Sequence, residues 1–239
     1  MSSPVTTDSA DGVTMITMDD GKANALSFEM FAGINEALDR CEAAGDVALI
    51  AGRPGRFSGG FDLGVLTAFS EESAVLLRTG FELSLRLLSF PRPVVVAVTG
   101  HAYAMGGFLV LSGDHRIGVS DSGHRITANE VSIGMALPHA AIEVCRQRLT
   151  PSAFERATVL AEVFSPEEAV AAGWLDSLAP EEDLLETART KALALSTLDP
   201  GAHRVTKLRS RERILEGLAA AIERDDAEFR ASIAAQGDT

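Results

Sequence analysis

Two glycine-rich segments constrain the fold of this chain of 239 residues more than any other feature. The first covers residues 53–63 and has a Gly-Gly pair at 59–60; the second covers residues 100–108 and has one at 106–107. Glycine accepts a positive φ and has no side chain, so each turn lets the backbone approach a ligand closely, and an apolar stretch that can begin a helix follows each pair. Two such turns can bring two backbone NH groups to one point, as in an oxyanion hole. Tight turns between a strand and a helix are the alternative interpretation of either pair.

Apolar runs typical of strands alternate with apolar stripes typical of helices through the first half of the chain. Phe28, Phe31 and Ile34 recur at helical spacing after the N-cap residue Ser27, which predicts an amphipathic helix. The continuous apolar run 94–98 predicts a strand that is covered on both faces. The predicted elements are strand 13–18, helix 27–45, strand 47–51, helix 71–88, strand 94–98, helix 105–111 and strand 114–119. This alternation predicts α/β layering.

The pattern changes after Pro138, where every segment is typical of a helix. The predicted helices are 140–149, 152–162, 166–172, 181–197 and 203–222. We therefore expect two regions, an α/β core over 1–138 and an essentially all-helical C-terminal region over 139–239.

Composition and charge exclude several classes of protein. A net charge of −13 argues against a nucleic-acid partner, which would require a broad basic face. The apolar runs are too short to cross a bilayer, no leader-like start is present, and the two cysteines form no CxxC unit. These features predict a cytoplasmic protein without a membrane partner.

Familiar catalytic motifs are absent from the sequence. There is no Walker A loop, and the glycines over 52–60 do not have Rossmann spacing. Ser58 and Ser132 lack the preceding glycine of a nucleophile elbow, since Arg56 and Glu130 stand two residues before them. The five histidines form no helical i,i+4 pair, so no metal site is predicted. His101, at the edge of the second glycine turn, is a candidate for lining a pocket.

Glu130 is the candidate catalytic carboxylate. It lies in the mostly apolar segment 126–138, and a glutamate in such surroundings is expected to have a raised pKa, closer to what a general base needs at neutral pH. An exposed loop glutamate is the alternative interpretation.

Three motifs resemble the crotonase superfamily of enoyl-CoA hydratases and isomerases. They are Phe-Ser-X-Gly-X-Asp-Leu at 57–63, Ala-X-Gly-Gly at 104–107 and Asn-Glu-X-X-X-Gly at 129–134. The resemblance implies an α/β fold with a core of ββα spiral turns and a helical C-terminal region used for trimer contacts, in a homotrimer or a dimer of trimers. It also implies oxyanion-hole NH groups from Phe61 and Gly107, with Glu130 as the acid/base. No internal repeat in the sequence establishes the spiral.

One departure from the family pattern favours a particular reaction. Hydratases that the chain resembles have a second glutamate three residues after the second glycine pair, where this sequence has Val110. Because a double-bond shift needs one acid/base group, the motifs are most similar to those of 3,2-trans-enoyl-CoA isomerases. A hydratase and an acyl-CoA-binding protein with little turnover remain alternatives.

The resemblance also implies the residues that contact an acyl-CoA substrate, with no cofactor besides the coenzyme A of the substrate itself. They are Ala23, Ala25, Ser58, Gly59, Gly60, Asp62, Leu63, Gly106, Val110 and Asn129. Asp62 has a second interpretation as a helix cap, and the side chain of Phe61 is expected to be free to vary because only its NH group is used.

Two further expectations concern the C-terminal region. The basic stretch 204–213 is a candidate for facing the phosphates of coenzyme A, with a solvated helix face as the alternative. Related proteins continue past the position of Phe229 into a helix that helps to close the acyl pocket. We therefore expect this pocket to be more open or to be completed by a neighbouring subunit.

Overall fold

A computed structural model describes residues 3–237, and a six-stranded sheet forms the centre of this part of the chain. The strand order is β1-β2-β4-β7-β9-β11, with β1 and β2 antiparallel and all other pairs parallel. The strands of this sheet are β1 (Val5–Ala10), β2 (Val13–Met18), β4 (Val47–Ala51), β7 (Val94–Val98), β9 (His115–Val119) and β11 (Ser177–Ala179).

Two smaller sheets carry the glycine-rich segments. A three-stranded parallel sheet consists of β5 (Gly55–Ser58), β8 (Gly100–Tyr103) and β10 (Ile126–Thr127), and a two-stranded one of β3 (Ala25–Leu26) and β6 (Gly60–Phe61). In the three-stranded sheet, β8 lies between β5 and β10, so the strand before the second glycine pair runs directly beside the strand before the first.

The helices largely follow the predicted pattern. They are α1 (Phe28–Ala44), α2 (Leu63–Leu66), α3 (Glu71–Ser89), α4 (Met105–Ser112), α5 (His139–Arg146), α6 (Pro151–Thr158), α7 (Pro166–Ala172), α8 (Leu184–Ser196) and α9 (Pro200–Gly237). The Ser27 hydroxyl accepts a hydrogen bond from the NH group of Met30, and Gly45 ends α1 with a φ of 74°. The predicted bounds of α1 are therefore confirmed.

Side chains of the main sheet alternate between two cores. Ile16, Ile50 and Val96 belong to the larger core with α1, α3 and α4, whereas Leu49 and Val95 belong to a smaller core beneath α8. The continuous apolar runs of β4 and β7 are buried on both faces, as predicted for β7.

The C-terminal region departs from the prediction in two respects: α9 continues well past the predicted end at residue 222, and one segment is a strand. Residues 139–239 are not entirely helical, because β11 pairs in parallel with β9 and extends the main sheet. This strand is only three residues long, and its apolar content is too small to give a periodic signal. Within residues 3–237, no helix combines the length and apolar character needed to span a lipid bilayer.

The long helix α9 packs across α3 and α5. The Asp225 carboxylate accepts hydrogen bonds from the backbone NH groups of His139 and Ala140 at 2.9 and 2.8 Å, and so caps the start of α5. The Phe229 ring contacts the Phe69 ring at a centroid distance of 4.9 Å. The expectation of a more open acyl pocket, or of one completed by a neighbouring subunit, stays a prediction.

Candidate active site

The two glycine turns are in direct contact. A Cβ atom on Gly106 would lie 2.7 Å from the carbonyl oxygen of Ser58, a distance that no packed side chain tolerates. A Cβ atom on Gly60, whose φ is +93°, would lie 3.0 Å from the carbonyl oxygen of Tyr103. Close approach of the two backbones thus requires glycine at both positions.

Helix α4 begins at this contact with a strained residue. Ala104, the N-cap of α4, has φ 50° and ψ −123°, a conformation that is costly for a residue with a Cβ atom. Gly107 occupies the third position of the helix, where a backbone NH group has no acceptor within the helix itself. This geometry suits an NH donor for an anionic oxygen, and that role for Gly107 stays a prediction.

A small apolar cavity of about 70 Å³ lies against the two turns, and we call it the Glu130 cavity. Its lining residues are Gly59, Phe61, Leu63, Leu66, Leu77, Phe81, Ala104, Phe108, Asn129, Glu130, Ile133, Met135 and Pro138. Among these lining residues of the described chain, Glu130 is the only one with a titratable side chain.

Burial sets the acid/base chemistry of Glu130. The residue is 7% exposed, and its Oε2 atom has no hydrogen-bond partner within the described structure. Because burial disfavours the charged form, it raises the pKa of Glu130 to about 7. A carboxyl group with this pKa can accept and return a proton near neutral pH.

The loop around Glu130 is held by its own backbone. The carbonyl oxygen of Glu130 accepts hydrogen bonds from the NH groups of Ile133 and Met135 at 3.1 and 2.9 Å. A short 3₁₀ helix, Val131–Ile133, follows, and Gly134 ends it with a φ of 80°. The segment then enters α5, whose first turn is fixed by Asp225 of α9.

The structure brings five predicted site residues to the cavity wall and leaves the other eight outside it. Gly59, Phe61, Leu63, Asn129 and Glu130 line the cavity. The remaining predicted residues, none of which lines it, are Ala23, Ala25, Ser58, Gly60, Asp62, Gly106, Gly107 and Val110.

Four of those other residues shape the first glycine turn. The Ser58 hydroxyl donates to the carbonyl oxygen of Asn24 at 2.8 Å, and the Ala23 carbonyl accepts from the Gly59 NH group at 2.8 Å. Ala25 pairs with Gly60 in the two-stranded sheet.

Asp62 and Val110 lie apart from the cavity. Asp62 caps α2, because its side chain accepts from the NH group of Gly64 at 2.9 Å. Val110 is fully buried in the core on α4.

The expectation for the Phe61 side chain is wrong. Its ring is buried and makes edge contacts with Phe31 and Phe81 at centroid distances of 6.1 and 6.2 Å. A Cβ atom on Gly80 would lie 2.5 Å from this ring, so α3 has glycine where the ring passes. The Phe61 side chain is therefore part of the cavity wall and of the core.

Sequence reasoning did not identify the other wall residues. They are Leu66, Leu77, Phe81, Ala104, Phe108, Ile133, Met135 and Pro138. The four-residue spacing of Leu77 and Phe81 places both on one face of α3, but periodicity alone does not distinguish a cavity wall from the rest of the core.

The other polar candidates lie elsewhere. The imidazole of His101 contacts Tyr103, His124 and the backbone of Arg125, and burial is the main cause that lowers its pKa. Lys207 and Arg211 form ion pairs with Asp114 at 2.7 and 2.8 Å. His101 and the stretch 204–213 contribute no residue to the Glu130 cavity.

Comparison with known proteins identifies the family. The sequence profile described as enoyl-CoA hydratase/isomerase matches residues 8–236. The human mitochondrial enoyl-CoA delta isomerase 1 is 29% identical over 209 residues, which are 86% of this chain and 69% of that protein.

Solved structures agree in fold as well. An enoyl-CoA hydratase from Mycobacterium marinum is 47% identical, with a TM-score of 0.91 over 95% of this chain and 99% of that one. An enoyl-CoA isomerase of Mtb is 45% identical, with a TM-score of 0.92 over 96% of this chain and 100% of that one.

The chain has the crotonase fold, with its glycine turns against a cavity that contains the buried Glu130. It belongs to the enoyl-CoA hydratase/isomerase family and is an enzyme of that family. Names of similar proteins include both hydratase and isomerase, so the choice between the two reactions depends on the site itself.

Proposed function

We propose that this enzyme shifts the double bond of a 3-enoyl-CoA to give the 2-trans-enoyl-CoA. The single observation that carries the proposal is that Glu130 is the only carboxylate among the described residues lining the cavity. A double-bond shift needs one group that removes a proton at one carbon and returns it at another. A raised pKa near 7 suits Glu130 to both halves of this task.

The proposed mechanism proceeds through a thioester enolate. Glu130 removes a proton from C2, and the electron pair of that C–H bond delocalises onto the thioester oxygen. The NH groups of Phe61 and Gly107 stabilise this oxygen. Glu130 then returns the proton to C4 while the double bond forms between C2 and C3, so that substrate and product have the same composition.

Hydration would require a second group to hold and orient a water molecule. At the position where such a glutamate stands in the hydratases that the sequence resembles, this chain has the fully buried Val110. The other cavity side chains within the described residues are apolar apart from the Asn129 amide. An apolar wall of this kind supports proton transfer along the acyl chain more than addition of water.

The remaining substrate contacts are part of the same proposal. Ser58, Gly59, Gly60, Asp62, Leu63, Gly106, Val110 and Asn129 would surround the thioester and pantetheine arm, and Ala23 and Ala25 would run along coenzyme A. The enolate mechanism uses no cofactor besides the coenzyme A of the substrate. A homotrimer or a dimer of trimers is the assembly we propose by analogy with the superfamily.

Two substrates distinguish the candidate reactions. The purified protein is incubated with 3-hexenoyl-CoA and, separately, with crotonyl-CoA, while the absorbance of the conjugated enoyl thioester is followed. We expect absorbance to rise with the first substrate and to stay constant with the second. Loss of absorbance from crotonyl-CoA would identify a hydratase, and no change with either would favour a protein that binds acyl-CoA with little turnover.

The pH profile provides a second test of Glu130. Only the ionised carboxylate can remove the C2 proton, so kcat/KM for 3-hexenoyl-CoA is expected to fall about tenfold per pH unit below an apparent pKa of about 7. The measurement is kcat/KM between pH 5 and pH 9. A profile that is flat down to pH 5 would mean that Glu130 is an ordinary exposed carboxylate in the free enzyme.

A further inference from the structure

We infer that the Glu130 cavity selects short acyl chains and that Phe81 is the residue that ends it. The inference rests on the proposed function for the identity of the ligand, an acyl thioester. It adds the chain length of the substrate and the residue that determines it, neither of which follows from the family.

The volume of the cavity sets the first limit. An apolar protein cavity of about 150 Å³ accepts a molecule the size of benzene, with its six carbons. The Glu130 cavity measures about 70 Å³, roughly half of that. By this proportion it holds about three or four carbons of an acyl chain. With the carbonyl carbon and C2 placed near the oxyanion donors, this corresponds to thioesters of roughly five to six carbons in total.

Exposure of the lining residues gives the direction of the cavity. Leu63 and Ile133 are 56% and 53% exposed, so the cavity reaches solvent on their side. Phe81 and Phe108 are each 1% exposed, so the part of the wall that they form is the end closed to solvent. An acyl chain that enters beside Leu63 and passes Glu130 therefore points its terminal carbons at these two rings.

The closed end is rigid because its rings belong to a continuous aromatic row. Phe81 stacks on Phe108 at a centroid distance of 5.9 Å and meets the edge of Phe61 at 6.2 Å. Phe61 in turn contacts Phe31 at 6.1 Å. The Phe81 ring thus has aromatic neighbours on two sides, and turning it aside would break both contacts.

Helix α9 lies behind this wall and leaves no exit for a longer chain. Leu77 and Phe81 face Ile222 and Asp225 of α9 across a gap that has no room for a water molecule. The Asp225 carboxylate is buried and bound to the NH groups that begin α5. An acyl chain extended past Phe81 would have to disturb this cap.

The test measures kcat/KM for 3-enoyl-CoA substrates of different chain length in the wild-type enzyme and in two matched variants. We expect the wild-type enzyme to prefer 3-hexenoyl-CoA to 3-dodecenoyl-CoA by about tenfold or more in kcat/KM. Phe81→Leu should raise the ratio of the 3-octenoyl-CoA to the 3-hexenoyl-CoA value by about tenfold, because the smaller side chain lengthens the closed end without opening a path through α9. Phe31→Leu is the control: Phe31 is equally buried in the same aromatic row but does not line the cavity, so its replacement should leave the ratio unchanged.

A binding measurement separates this inference from the proposed reaction. Calorimetric titration of the wild-type enzyme with hexanoyl-CoA and dodecanoyl-CoA, which contain no double bond to shift, reports chain-length preference without turnover. Tighter binding of hexanoyl-CoA without any isomerase activity would support the short cavity and overturn the reaction. Isomerase activity with equal affinity for both thioesters would overturn the short cavity alone.

Folding of the variants is checked by cooperative denaturant unfolding. If Phe81→Leu does not fold, Phe108→Leu opens the same closed end from α4 and is expected to shift the chain-length ratio in the same direction. Equal shifts in Phe31→Leu and in the wall variant would overturn the assignment of Phe81 as the end of the cavity.

Discussion

Replacing Glu130 with Gln is expected to abolish isomerisation and, at the same time, to stabilise the protein. The amide cannot accept the C2 proton, so kcat/KM for 3-hexenoyl-CoA should fall by about 10²- to 10⁴-fold, the contribution typical of a general acid/base. The stability gain has a separate cause. In the wild-type protein a carboxylate without a hydrogen bond at Oε2 is buried in an apolar cavity, and Gln removes its charge.

The sign of the stability effect follows from the raised pKa. The ordinary value for Glu130 is 4.5 and the folded value is about 7, so the folded protein holds a proton that the unfolded chain has released. The stabilising contribution of this proton is fully present below pH 4.5 and is lost as the pH rises through 7. We therefore compare the free energy of unfolding of the wild-type protein with that of Glu130→Gln. Counted from its value at low pH, this difference should fall by on the order of 3 kcal/mol at pH 8 but by only about 1 kcal/mol at pH 5.

Urea unfolding of both proteins at pH 5 and pH 8 measures this difference, alongside kcat/KM at pH 8. Glu155→Gln on α6 is the matched control, since it makes the same change at an exposed position and should alter neither quantity appreciably. A Glu130→Gln protein that keeps activity within a few-fold of wild type would refute the role of Glu130. Equal stability differences at the two pH values would refute the burial of its charge.

The sequence predicts elements well where a local signal specifies them. Ser27 and Gly45 mark the two ends of α1, and the run 94–98 marks a strand buried on both faces. The strand β1 has no such signal: it is an edge strand in which only Val5 is buried, so its remaining residues are polar or small. The two-residue strands β3 and β6 are too short for any periodicity.

The candidate site shows the same division between local and long-range information. The apolar context of Glu130 predicts a raised pKa, and the structure agrees. That context does not reveal what holds the segment after Glu130, where Asp225 of α9 caps the start of α5 from 85 residues beyond Ala140. The wall residues Leu77 and Phe81 belong to an ordinary amphipathic helix, and only the packing of α2, α3 and α4 distinguishes them from the core.

Replacing Gly106 with Ala should separate the two glycine turns and cost most of the catalytic rate. The added methyl group would lie 2.7 Å from the Ser58 carbonyl oxygen and 2.8 Å from the Ser58 Cβ atom, and Ser58 is itself fully buried and hydrogen-bonded to Asn24. The turns must therefore move apart, which displaces the NH groups of Phe61 and Gly107 from one another. Loss of one oxyanion donor corresponds to about 10²- to 10³-fold in kcat.

A loss confined to the transition state is the result that identifies an oxyanion hole. In Gly106→Ala, kcat with 3-hexenoyl-CoA should fall much more than the affinity for hexanoyl-CoA, because a displaced NH group matters most when charge develops on the thioester oxygen. Overpacking also costs about 1–3 kcal/mol of stability, so the fraction of folded protein is measured in each assay.

Gly123→Ala is the control, since no atom lies within 4 Å of the position that its added methyl group would take and its φ is not positive. A folded Gly106→Ala protein with unchanged kcat would contradict the oxyanion hole. The two glycine pairs would then be tight turns between a strand and a helix and nothing more.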